Sequence, residues 1–120
     1  MKPIISGTGF GSITVGEKML DYDVVIHMNG HIEKRKEPMA MTTHGASDVL
    51  SLDEAKRIYE KGAEHLIVGT GMRSMLHLSN EAKAFFDKNH CRVDLWSTPH
   101  AIEEWNHEEG KKTIGLFHVV

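Results

Sequence analysis

The residues of this chain that have the types and spacing to do chemistry sit in two short segments. Val68-Gly69-Thr70-Gly71-Met72-Arg73-Ser74 follows an apolar run and begins like a dinucleotide fingerprint, with Asp94 near the distance at which an acidic residue would hold a ribose. Such a motif works because a helix starts at the turn and aims its free N–H groups at a pyrophosphate. Here the first helix cap after the loop is Ser79, several residues too late. The third glycine is replaced by Ser74, and Asp94 falls inside a strand pattern. A tight turn is therefore the better reading than a nucleotide site. Gly7-Thr8-Gly9-Phe10-Gly11 is weaker still, with no strand expected before it.

The second segment, Ser97-Thr98-Pro99-His100, reads as a helix start with a cap and a first-turn proline. In an open α/β sheet with right-handed crossovers, strands ending near Val68 and Trp96 end on the same edge. Gly69, Thr70, Gly71 and Arg73 would then share a crevice with Thr98 and His100. The glycines would admit close backbone approach. Arg73, Thr98, His100 and the helix N-terminus would hold a small anion. The plainer alternative, with Thr98 only a cap and Arg73 only a solvated side chain, carries more weight.

Nine histidines raise the question of a metal. His27 and His31 flank Asn29-Gly30, and a two-residue turn there pairs His27 with Ile32, sending the two imidazoles to opposite faces. His100 and His107 lie roughly 10 Å apart along a helix rising about 1.5 Å per residue, too far to share an ion. The pairs His100/Glu104 and Glu103/His107 could each give two ligands, but zinc needs a third and none is indicated. No metal and no cofactor is expected. No nucleophile elbow and no Walker A sequence occurs, so no catalytic residue is named. Cys91 reads as a small core residue, and His118, alternating with Ile114 and Leu116, as a satisfied core histidine. Met39, Met41, Met72 and Met75 lie in or beside loops, where flexible apolar side chains suit a partner surface as well as they fill gaps.

Elements must position these residues. The chain has 120 residues, 40% hydrophobic and 26% charged, enough for one core and unlike a disordered chain. Lys plus Arg number 14 against 17 Asp plus Glu, and Lys34-Arg35-Lys36 is the one basic block, so no nucleic-acid surface is expected. The longest uncharged stretch, Pro3 to Gly16, is too short and polar to span a bilayer, and the N-terminus shows no signal core or presequence. A single cysteine excludes an internal disulfide. A cytoplasmic protein without membrane contact is the expectation.

Residues 10–35 read as an antiparallel hairpin region: Phe10 to Val15, a turn at Gly16-Glu17-Lys18, Asp23 to Met28, the Asn29-Gly30 turn, then His31 to Arg35, closed by Pro38. Residues 39–50 read as a loop and 51–120 as αβαβαβ. Ser51 with Glu54 forms a capping box, Leu52, Ala55, Ile58 and Tyr59 share a face, and Gly62 ends the helix. His65 to Val68 is apolar on both faces, as a central strand is. Ser79 caps a second helix with Ala82, Phe85 and Phe86 inward. Cys91 to Trp96 is a strand. Thr98-Pro99 starts a third helix with Ala101, Ile102 and Trp105 inward, and Thr113 to Val120 is the last strand. The fold class is α/β: a single three-layer domain over 1–120, with a mixed central sheet, packed helices and an N-terminal antiparallel hairpin region that extends or covers the sheet.

The order of Leu66-Ile67-Val68-Gly69-Thr70-Gly71-Met72, the Ser79 helix, Thr98-x-x-Ala101 with Trp105-Asn106, and Gly115-Leu116-Phe117-His118 resembles one family of small domains. The Asp23-to-Ile32 hairpin and His44-Gly45 share in the likeness, which spans almost the whole chain. This is the MTH-type domain-of-unknown-function family, whose members include the mitochondrial complex I assembly factor 3 and a cytosolic adipogenesis-associated protein. The resemblance implies a three-layer α/β fold and carries over no catalytic residues. Its mitochondrial branch implies an assembly or interaction role, and its shared residues would put any ligand beside Gly69 to Arg73. Two functional readings follow. One is a non-enzymatic accessory, assembly or interaction domain with a protein partner or self-association. The other is a binder of a small molecule or anion, with or without catalysis, in the crevice between loops 69–74 and 97–100.

Overall fold

Strands that are apolar on both faces need cover on both, and this requirement organises the chain. The structure is a computed structural model describing residues 2–35, 49–110 and 112–120. Its strands are β1 (Ile5–Gly9), β2 (Ser12–Val15), β3 (Lys18–Leu20), β4 (Val24–Ile26), β5 (Ile32–Lys34), β6 (Val49–Leu50), β7 (His65–Gly69), β8 (His77–Leu78), β9 (Arg92–Trp96) and β10 (Thr113–Phe117). Its helices are α1 (Leu52–Ile58), α2 (Asn80–Lys88) and α3 (Thr98–His107). The central sheet runs β5-β4-β10-β7-β9. β10, β7 and β9 are parallel, and β4 and β5 extend them antiparallel. Every residue of β7 and β10 is buried.

Alternation along the strands divides the core in two. Leu66, Val68, Ile114, Leu116 and Val25 face a layer built from α1, α2 and the β6–β8 pair. Ile67, Phe117, Val24 and Ile26 face α3 and the β1-β2-β3 meander. The connection from β7 to β9 steps one way with α2 on the first face, and that from β9 to β10 steps back with α3 on the second. Both crossovers thus have the same hand, as parallel connections require. The three layers match the α/β class that the sequence predicts, and the N-terminal region does both of its expected jobs: β4–β5 extends the sheet and β1–β3 covers it.

Several local expectations give way. Gly7-Thr8-Gly9 lies within β1, and Phe10-Gly11 is the turn into β2 rather than the start of a strand. Little of β1 is apolar besides Ile5, and much of its support comes from outside: Asn106 accepts from Ile5 N at 3.0 Å and donates to Ile5 O at 2.8 Å. Lys18 opens a third strand instead of closing a turn. The Asn29-Gly30 hairpin pairs Ile26 with Ile32, leaving His27 to His31 as its loop. Only glycine there has positive φ (89°), because Asn29 Oδ1 accepts the His31 N–H at 2.9 Å and shapes the turn with its side chain. The shift of register puts both imidazoles on one side, stacked at 5.8 Å, and not on opposite faces. Val49–Leu50 is a short strand, not loop. Pro38, Met39, Met41 and His44-Gly45 lie outside the described residues, as does Lys111.

Helix ends follow their caps. Ser51 and Ser79 accept from the N–H groups of Glu54 and Ala82. α1 stops at Ile58, with Tyr59 as its C-cap, before Gly62 is reached. Ser97, not Thr98, is the N-cap of α3, and it makes no side-chain cap bond. Lys2 Nζ donates to the carbonyls of Trp105 and Glu108 at the other end of that helix.

One polar network crosses the layers. Arg35 donates to both carboxylate oxygens of Glu54 at 2.6 and 2.9 Å and to Asp23 at 2.9 Å. Asp23 also accepts from His118 Nδ1 at 2.7 Å and Val119 N at 2.8 Å. Burial alone would raise the Asp23 carboxyl, but the bonds from His118, Val119 and Arg35 together hold it below its ordinary range. The unfolded chain then binds this proton more tightly than the native one, so stability is lost as pH falls from about 4 toward the lowered native value. Melting temperatures across that window should fall more steeply for the parent than for Asp23→Asn. Trp105, fully buried with its ring edge-on to Phe117 at 5.7 Å, anchors the second core. Trp105→Ala should cost about 3–5 kcal/mol in denaturant titration.

Candidate functional site

β7, β9 and β10 end on one edge, so the loops after Gly69 and Trp96 meet as their crossovers require. They meet by bonding to each other. Thr70 donates through N and Oγ1 to Trp96 O at 2.7 and 2.9 Å. Gly71 N donates to Thr98 Oγ1 at 2.9 Å, and Thr98 N returns a bond to Gly71 O at 3.2 Å. Thr98 Oγ1 then donates to His118 O at 2.6 Å, and His118 N donates to Gly69 O at 2.9 Å. Both glycines admit protein. A Cβ on Gly69 would lie 2.9 Å from Thr98 Oγ1, and one on Gly71, whose φ is +103°, would lie 2.8 Å from His118 Cδ2.

The structure thus brings Gly69, Thr70, Gly71 and Thr98 into one interlock in which both threonine hydroxyls are spent internally. Arg73 and His100 project elsewhere. The Arg73 guanidinium lies over the Phe10 ring at 5.5 Å, and His100 tilts on Trp96 at 5.1 Å with Nε2 3.5 Å from Glu104. His118 is the satisfied core histidine that the alternation predicts. Burial pushes the Cys91 thiol up to about 11, which fits a core residue and not a thiolate.

Outside the interlock, the same edge is apolar. Phe10, Met75 and Val120 are 62%, 57% and 49% exposed. The β1–β2 turn is fixed beside the C-terminal segment by Gly11 N donating to Val119 O at 2.7 Å. Among the described residues, Met75 is the one loop methionine that patterning singles out and the structure exposes strongly. Phe10 was legible only as part of a strand.

A second place with chemistry lies where β7 and β9 begin. His65, 8% exposed, stands between two carboxylates, with Nδ1 2.6 Å from Glu108 and Nε2 2.7 Å from Asp94. Arg92 donates through Nε to Asp94 at 3.1 Å, and its Nη2 sits 3.2 and 3.4 Å from the two His65 nitrogens. Equal approach to both places the guanidinium over the ring. The His65 bond, then Gly110 N–H, holds the Glu108 carboxyl below its usual range. A hollow of about 190 Å³ opens here between β9 and the C-terminal half of α3. The sequence carried one signal of it: Asp94, a carboxylate inside a strand. Among the described residues, no three His, Cys, Asp or Glu side chains converge as metal ligands would. No helix among them is long and apolar enough to cross a membrane.

Comparison with known proteins gives the fold a family. A profile described as "Protein of unknown function (DUF498/DUF598)" matches residues 5–118. A conserved hypothetical protein, PH1505 from Pyrococcus horikoshii OT3, is 30% identical, with TM-score 0.87 over 100% of this chain and 99% of its own. A protein named MT938 is 23% identical, with TM-score 0.80 over 99% of each chain. A Bordetella pertussis protein described as a Mth938-like domain shares the fold at 16% identity and TM-score 0.69, over 98% of this chain and 85% of its own. No curated protein matches the chain.

The interlock sets a measurable cost. Thr98→Val leaves the Gly71 N–H and the His118 carbonyl without their buried partner and should lose about 1–3 kcal/mol in chemical denaturation. A loss near zero would instead mark a hydroxyl free to serve a ligand.

Proposed function

Taking as premise that the chain belongs to the DUF498/DUF598 family, a family of unknown function, we propose that it is a non-enzymatic interaction or accessory domain. Its partner surface is the edge where β7 and β10 end. The observation that carries this reading is the exposure of Phe10, Met75 and Val120 in the segments at this edge, with the Arg73 guanidinium over the Phe10 ring. Arg73 has no carboxylate partner among the described residues. Aromatic, Met and Arg side chains are the types that interface centres favour, and each gains most when a partner removes water from it. The charge fixes the partner's chemistry: an apolar side chain next to an acidic one, on another protein.

The rest of this edge favours the same reading. Thr70 and Thr98 hydroxyls are engaged with backbone, which takes two of the polar contacts that a small anion held between the loops would need. The relatives named above are described without a binding partner, so the surface is argued from this chain alone.

A photo-crosslinking residue at Phe10, introduced in cells of the source organism, tests this. The expected result is one discrete adduct with another protein, lost when Arg73→Glu is added and absent from a control at Lys83 on exposed α2. An adduct of twice the chain mass would make the occupant a second copy. The same diffuse products from Phe10 and Lys83 would remove the surface from consideration.

A further inference from the structure

The hollow between β9 and α3 is separate from the partner edge and has its own chemistry. Its lining is mostly polar, with the half-buried Trp96 as the apolar side chain that it presents and Ile67 buried behind it. Its charges are of both signs and are unevenly committed. Glu108 is fully used: one oxygen takes His65 and the other takes Gly110 N at 3.1 Å. Arg92 donates through Nε to Asp94 and stacks its Nη2 over the His65 ring, and its Nη1 has no partner among the described residues, on a side chain 69% exposed. Glu104, 46% exposed, is held among the described residues only by the 3.5 Å approach of His100. His107 engages the Glu103 carbonyl through Nδ1 at 2.8 Å, leaving Nε2 unengaged among the described residues.

These charges discriminate between ligand classes. A purely anionic ligand would meet Glu104 and Glu108, and a purely cationic one would meet Arg92 stacked on His65. A molecule carrying both charges can satisfy both lips of the hollow. We propose that this hollow binds a small zwitterion of amino-acid size, with its carboxylate on Arg92, its ammonium on Glu104, and its side chain against Trp96. Arg offers a carboxylate parallel N–H donors, and the Trp96 face adds attraction for the nearby ammonium. A space of about 190 Å³ accommodates a ligand of this size.

The purified chain is screened by thermal shift against the common free amino acids at millimolar concentration, and the best is titrated calorimetrically. At least one should raise the melting temperature. Its amide and its N-acetyl derivative, each lacking one charge, should bind about tenfold or more weakly, and Arg92→Ala and Glu104→Gln should each weaken the parent amino acid comparably. Both side chains are substantially exposed, so the variants should melt close to the parent. If either variant fails to fold, the derivatives test the same two contacts on the unaltered chain. A flat screen overturns the proposal. So does a hit whose amide and N-acetyl forms bind as tightly as the free amino acid.

Discussion

A guanidinium with 2% of its side chain exposed has to be compensated where it lies, and the described chain is arranged around doing that for Arg35. Three bonds from Glu54 and Asp23 meet the requirement. Removing one partner of such a buried pair typically costs about 3–5 kcal/mol, whereas a well-packed apolar replacement can be neutral. The network therefore acts chiefly by fixing which segments meet. Glu54 belongs to α1, Arg35 follows β5, Asp23 precedes β4, and His118 and Val119 follow β10. The Ser51 cap shows the priority: its oxygen holds Glu54 N, but the Glu54 carboxylate that a capping box would turn back to Ser51 goes to Arg35.

From Asp23 the constraint passes into the loop edge through His118. Its ring is bonded to Asp23, its N–H to Gly69, and its carbonyl to Thr98. In open α/β sheets, ligands commonly bind beyond the carboxyl ends of the strands. Here the residues after β10 turn across that edge and join the two loops that would flank a ligand. What remains exposed is the rim, with Phe10, Arg73, Met75 and Val120. The bonds that join the two loops thus engage both threonine hydroxyls and leave Arg73 at the exposed rim.

The strong periodic segments were legible because burial alone dictates them. His65 to Gly69, Thr113 to Phe117 and the inward faces of α2 and α3 follow from apolar spacing, and caps at Ser51 and Ser79 mark the helix starts. β1 was not legible, since its glycines and hydroxyls carry no period and Asn106 holds it from a hundred residues away. The His27–His31 register was misread because the Asn29 side chain, not a second positive φ, completes the turn. Thr98 looked like a cap because a hydroxyl before proline usually is one. Its long-range partners, Gly71 and His118, have no local signature. The Arg35 network was hidden for the same reason, inside what composition presents as a basic surface run.

The asymmetry between the two edges has a simple steric origin in Gly115. A Cβ there would lie 2.6 Å from Phe117 Cε2 and 2.9 Å from Trp105 Cζ3, so the bare backbone is what lets the Trp105 ring rest on β10. Gly69 does the same for Thr98 at the start of α3. Both glycines draw the helix toward β10 and β7, the strands next to each other in the sheet. β9, the edge strand beyond β7, is left with its residues Asp94 and Trp96 only partly covered on that side. His65, Arg92 and Trp96 then line a hollow with Glu104 and Glu108 instead of a closed core. An alanine at position 115 would press on that helix contact first, and the hollow would feel it through the displaced α3.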